Sequence, residues 1–229
     1  MPAVRLHVDP VDEVFADGLA AIRAEMDIED LPAAAIAEAD AAISALSSSA
    51  VATDWADLTE LPFVTIDPPG SRDLDQALHI SAEATGCTIQ YAVADLAAFV
   101  RPGGAIDDAA RERGVTIYLP DSKSPLHPLS LSEGAASLLP DQVRRALVWR
   151  VRIDDDGEVN DVDVRRATVR SRGAYSYEQV QAALDAGTAD EVFELLRRAC
   201  STSRTWPARR SSSNTSSAVP ASRAACTCS

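Results

Sequence analysis

Thr65-Ile66-Asp67-Pro68-Pro69-Gly70-Ser71-Arg72-Asp73-Leu74-Asp75-Gln76-Ala77 is the stretch on which the reading of this 229-residue chain turns. Residues 63–66 read as a strand, and the Pro68-Pro69-Gly70 turn makes the chain change direction just after Asp67. Asp73 and Asp75 stand two apart. In an extended segment their carboxylates share one side, while Leu74 points the other way into the core. Three carboxylates aimed at one spot repel one another unless a cation lies between them, and hard oxygen ligands suit Mg²⁺ or Mn²⁺. Two such ions about 4 Å apart activate water and stabilise the leaving oxygen of a phosphodiester. The spacing also fits a solvated acidic turn in which Arg72 pairs with Asp73, since D-x-D recurs often by chance. An EF-hand does not fit, because its glycine and terminal glutamate are missing from their places.

Outward from this loop, residues 77–80 resume a strand, and 87–93 alternate with Ile89, Tyr91 and Val93 on one face. Leu147, Trp149, Val151 and Ile153 alternate again, turn at Asp154-Asp155-Asp156-Gly157, and return through 159–169. Helices are expected over 106–113 (closed by Gly114), 177–184 and 191–198. Meandering strands with interspersed helices make this an α+β domain over residues 54–198. Residues 1–53 read as a short helical segment packed on it. Asp9 caps the first helix, Pro10 suits its first position, and Val11, Val14, Phe15, Leu19, Ile22 and Met26 form one apolar face. A second, alanine-rich helix spans 32–46.

Residues 199–229 hold nine serines and no Asp, Glu, Leu or Ile. Such a segment buries too little apolar surface to offset its ordering entropy and is expected to be disordered. Its composition is that of a GC-rich gene read out of frame; a basic RNA-binding tail is the alternative. Cys226 and Cys228 lack the second pair of ligands a structural zinc site needs.

No stretch approaches the roughly 20 apolar residues that span a bilayer. The first residues carry acids instead of a basic leader, so a cytoplasmic protein is expected. A net charge of −14 argues against a phosphate-bearing partner unless a few arginines line a groove. Lys123 is the sole lysine among 21 basic residues.

The acidic loop resembles the signature of the RNB family, the catalytic domain of ribonuclease II and ribonuclease R. Tyr91-Ala92-Val93-Ala94-Asp95-Leu96, then Thr116-Ile117-Tyr118-Leu119-Pro120, Pro125-Leu126-His127-Pro128, and Leu131-Ser132-Glu133 through Ser137-Leu138-Leu139-Pro140 to Arg144 continue the likeness in family order. The resemblance implies an RNB-type fold of mixed strands with flanking helices. It also implies Mg²⁺-dependent hydrolysis of single-stranded RNA from the 3′ end to nucleoside 5′-monophosphates, with no role for DNA or membrane. It assigns metal to Asp67, Asp73 and Asp75, with Asp75 nearest the cleavage step and Asp73 also catalytic. It gives RNA contact to Tyr118, by stacking, and to Arg72. His127 and Trp149 read as structural, and Asp95 as a cap or brace. Gln76 stands where many members carry a further aspartate; its carbonyl can ligate a cation but brings no charge. The likeness covers the N-terminal half of the family's domain only. A truncated domain of that kind is expected to leave strand edges unpaired and prone to aggregation. A catalytically inactive RNA-binding fragment and an unrelated acidic metal-binding module are the competing readings.

Overall fold

The computed structural model describes residues 13–48 and 55–203. The expected cap at Asp9, with Pro10 and Val11, lies outside them, as do residues 204–229 with Cys226 and Cys228. The chain opens with helices α1 (Glu13–Glu25) and α2 (Ala33–Ser48). Strands β1 (Ala56–Ile66), β2 (Gln76–Ala82) and β3 (Cys87–Ala94) follow, then helix α3 (Ala105–Arg113). A two-residue pair, β4 (Ile117–Tyr118) and β5 (Lys123–Ser124), precedes the long strands β6 (Val143–Ile153) and β7 (Val159–Tyr175). Helices α4 (Tyr177–Ala186) and α5 (Glu191–Ser203) complete the described chain. The boundary expected at 198 therefore falls inside a helix. Once a helix is nucleated each added residue costs little, so it can run past a change in composition.

The five long strands close into a barrel in the order β1-β2-β3-β6-β7. All neighbours are antiparallel except β1 and β7, which run parallel from Ala56↔Ala167 to Ile66↔Tyr175. The expected unpaired edges are thus absent from this sheet, because closure gives every strand two partners. A barrel needs about eight strands before its interior holds full-sized side chains comfortably, so five leave a narrow bore. Small residues face it: Ala77 opposes Ala92, Ala92 opposes Val148, and Ala146 opposes Ala167. Phe63, Leu138 and Val169 complete this buried cluster. Leu147, Trp149 and Val151 do share a face with Ile153, but it is the outer one. Trp149 is 45% exposed there, whereas Ala146 and Val148 are fully buried. The bulky parity faces out because the bore has no room for it, and Trp149 is not a core residue.

Helices cover two flanks. Ala35 and Ala39, one turn apart on α2, pack against Ile106 and Ala109 of α3 and against Leu131. On the other side Val180 and Phe193 lie on Val64, with Tyr175 edge-on to Phe193 at 5.0 Å. A capping box, Ser176 with Gln179, starts α4, and Gly187 in the left-handed region ends it.

The acidic loop bridges β1 and β2 and is held from both ends. Asp67 N–H donates to Tyr175 O at the parallel seam, and Ala94 N–H donates to Asp75 O. In between, Leu74 is buried, its N–H donating to Ser137 Oγ (3.1 Å) and its carbonyl accepting from Leu138 N–H (2.7 Å). The Ser137 hydroxyl in turn donates to Arg72 O at 2.6 Å.

Two substitutions probe these constraints. Ala92→Leu overfills the bore and is expected to cost about 1–3 kcal/mol, read as a lower urea midpoint with an unchanged slope. Ser137→Ala leaves the Leu74 N–H and Arg72 carbonyl without their partner. It is expected to cost about 1–3 kcal/mol, with faster amide exchange at Leu74 than in the barrel strands.

Candidate active site

Asp73 and Asp75 flank the buried Leu74 and open onto one cleft of about 460 Å³. Val93, Ala94, Leu96, Tyr118, Lys123, Pro125, His127 and Ser137 line it with them. Two of the side chains picked out from sequence for metal and one picked out for RNA thus share a cavity. Tyr118 is 72% exposed and contributes its ring to the rim instead of to the core. Asp67 lines an adjoining hollow with Pro68, Gly70, Tyr175 and Gln179. Its carboxyl is nonetheless coupled to the other two. Partial burial first, then the charges of Asp75 and Asp73, push it above the usual carboxylate range. The Asp67 carboxyl thus feels the negative charge of the other two.

Gln76 takes a different direction. It is exposed, and its carbonyl oxygen accepts a hydrogen bond from the Tyr91 hydroxyl across the β2–β3 pair. Burial, followed by the charges of Asp75 and Asp67, raises the Tyr91 phenol, which stays a neutral donor. Arg72 reaches Glu133, with Nε 3.8 Å from Oε2, and its side chain is 68% exposed.

The group that sequence reasoning passed over is Lys123. Its ammonium lies 2.6 Å from Glu133 Oε1 and 3.4 Å from Asp73 Oδ2. The hydrogen bond to Glu133, with help from the Asp73 charge, holds it above the usual lysine value despite partial burial. The only available signal was compositional: this is the chain's one lysine. His127 is lowered by burial and so is neutral, with Nδ1 unpartnered among the described residues. Asp95 does not cap the short helical turn Leu96–Ala98 that follows it. It is fully buried against Arg166, whose Nε lies 3.1 Å from Oδ2. Arg166 and Arg145 both stack on Trp55, so Asp95 braces the outer wall of the barrel.

The donor set suits an open site for a hard cation. Among the described residues no three Asp, Glu, His or Cys side chains converge closely enough to enclose an ion. Mg²⁺ does not require such a cage. It keeps several waters and is commonly held by one or two carboxylates together with substrate phosphate. Asp67, whose carboxyl burial and the charges of Asp75 and Asp73 push up, and Asp75 have no ion pair of the kind Asp73 has among the described residues, and they meet that description.

Comparison with known proteins adds the following. A family profile for the RNB domain matches residues 55–219, opening next to the expected start at 54 and running beyond 198. The Exoribonuclease 2 of Vibrio cholerae is 39% identical over 138 residues, covering 59% of this chain and 20% of that protein. This chain therefore spans about a fifth of that relative's length. Ribonuclease R of Mycoplasma genitalium, solved in complex with ribose-methylated single-stranded RNA, superposes with a TM-score of 0.66 at 28% identity, covering 81% of this chain and 29% of that one. Yeast Ssd1, described as a pseudonuclease, shares the fold at 19% identity, with a TM-score of 0.57 over 65% of this chain and 19% of its own. The RNB profile covers residues 55–219, well over half of the chain, and on that ground the chain belongs to the RNB domain family of ribonucleases.

Proposed function

We propose that this chain carries the metal-binding part of a ribonuclease II-type exoribonuclease, degrading single-stranded RNA from its 3′ end to nucleoside 5′-monophosphates. Mg²⁺ is the cofactor, with Mn²⁺ able to replace it, and the compartment is the cytoplasm. The observation that carries this reading is the shared cleft: two carboxylates and an exposed tyrosine open onto one cavity. Its likeness to relatives named Exoribonuclease 2 and to the RNA-bound ribonuclease R supports RNA as the substrate class. Neither DNA nor a membrane is an expected partner. Among the described residues no helix is long and apolar enough to cross a bilayer.

Each side chain has a defined task. Asp67 and Asp75, with Asp73 beside them, hold the cation through carboxylate oxygens, and Gln76 has a neutral carbonyl to offer. The bound ion supplies an activated water and stabilises the leaving oxygen. Tyr118 presents its ring to a base near the 3′ end, a grip that tolerates every sequence. Arg72 offers its guanidinium to a backbone phosphate. The neutral His127 and the apolar Val93 and Leu96 line the same cleft.

A second reading, RNA binding without cleavage, is favoured by one observation: Asp73 already has an ammonium partner in Lys123. The two are separated with a 5′-labelled single-stranded oligoribonucleotide and Mg²⁺. Stepwise shortening with release of 5′-mononucleotides is expected, and Asp75→Asn should slow it roughly a hundredfold or more while RNA binding persists. Binding without shortening by the unaltered chain selects the second reading. Absence of binding sinks both.

A further inference from the structure

Lys123 is singular in composition and in place. It sits on β5 directly across from Tyr118 (Tyr118↔Lys123), at the junction of the RNA-facing rim and the acidic loop. Its Nζ bridges two carboxylates that come from separate parts of the chain, Glu133 at 2.6 Å and Asp73 at 3.4 Å. Both anchors are rigid. Asp73 precedes Leu74, which Ser137 and Leu138 clamp, and Glu133 lies on a π-turn pinned by the fully buried Leu131. A surface ion pair between mobile side chains contributes little. This ammonium is instead tethered from two sides and borders the same cleft as Asp75.

We propose that Lys123 is a built-in counter-ion that occupies Asp73 and thereby sets how tightly, and in what number, divalent cations enter the cleft. This rests on the metal-dependent reading above. With Asp73 neutralised by the ammonium, the uncompensated acids are Asp67 and Asp75, which suffice for one hydrated ion. A second ion would have to displace Lys123 from Asp73 or lie next to its positive charge, and either choice weakens binding. Gln76, turned to Tyr91 and uncharged, does not make up the deficit. Lys123 therefore acts through the metal, as a residue that tunes affinity and stoichiometry, and it needs no contact with the reacting phosphate.

The test is a titration of the full chain with Mn²⁺, following free Mn²⁺ by electron paramagnetic resonance at fixed ionic strength without RNA. The unaltered chain is expected to bind one ion. Lys123→Gln should bind Mn²⁺ roughly tenfold tighter or more, and take up a second ion, because a positive charge has left the cleft. Lys123→Arg keeps the charge and should match the unaltered chain. Glu133→Gln leaves the ammonium to Asp73 alone and should weaken binding, a shift in the opposite direction that does not depend on the folding of the Lys123 variants. Circular dichroism melts identify any variant that fails to fold. Equal affinity and stoichiometry across the set overturn the counter-ion role while leaving metal dependence standing. Absence of Mn²⁺ binding by every protein in the set overturns the metal-dependent reading and this inference together.

Discussion

Closure of the barrel through the parallel pairing of β1 with β7 constrains everything else in this molecule. It joins segments about a hundred residues apart in sequence, from Ala56↔Ala167 to Ile66↔Tyr175, and turns a meander into a five-stranded tube. The narrow bore then dictates alanine at Ala77, Ala92, Ala146 and Ala167, and sends the bulky residues of β6 outward. It also fixes where chemistry can occur. The last residue pair of the seam, Ile66 and Tyr175, is followed at once by Asp67, whose N–H bonds to the Tyr175 carbonyl. The acidic loop therefore starts from a point that cannot move without opening the barrel.

From that point the loop is shaped by polar satisfaction more than by apolar burial. A nine-residue excursion rich in carboxylates would be free to relax away from its own repulsion if nothing held it. The Ser137 hydroxyl and the Leu138 N–H remove that freedom by bonding to the backbone at Arg72 and Leu74. Burial first, then the charges of Asp75 and Asp73, raise the Asp67 carboxyl, while Lys123 pairs with Asp73. Charge elsewhere follows a similar pairing logic. Arg150 meets Asp161, Arg165 meets Asp163, and Arg170 and Arg172 share Glu60, so the arginines of β6 and β7 are largely spent on acids of this chain.

How much of this was legible in the sequence depends on the range of the interaction. The alternation Asp73-Leu74-Asp75 is local, and the buried leucine between two cleft-facing acids follows from strand geometry alone. The helices over α3 and α4 were equally local, with Gly114 and Gly187 as stops. The closure was not legible, since parallel pairing of β1 and β7 leaves no periodic mark in either strand, and without it the β6 faces could not be ranked. Trp149 drew attention as a large apolar residue in an alternating strand, yet only the width of the bore says that alanine and valine win the inside. The counter-ion was hidden for the same reason. Asp73, Lys123 and Glu133 are separated by 50 residues and then by a turn, and only the folded chain brings them within 4 Å.

Fold and activity therefore rest on different residues here. Family membership is carried by the features that build the tube and clamp the loop: the alanine bore, the Tyr175 seam, Ser137 beneath Leu74. The fold as a whole is shared with yeast Ssd1, described as a pseudonuclease. The proposed activity hangs on a smaller balance, between the charges of Asp67 and Asp75 and the positive charge that Lys123 supplies to Asp73. A tethered ammonium cannot activate water, yet it relieves much of the same repulsion that a metal ion would. The tighter that internal pair, the more of the electrostatic drive for metal binding the chain has already used. Where the balance falls is a property of four side chains: Lys123, and Asp67, Asp73 and Asp75 on a loop that the barrel seam and the Ser137 clamp hold in place.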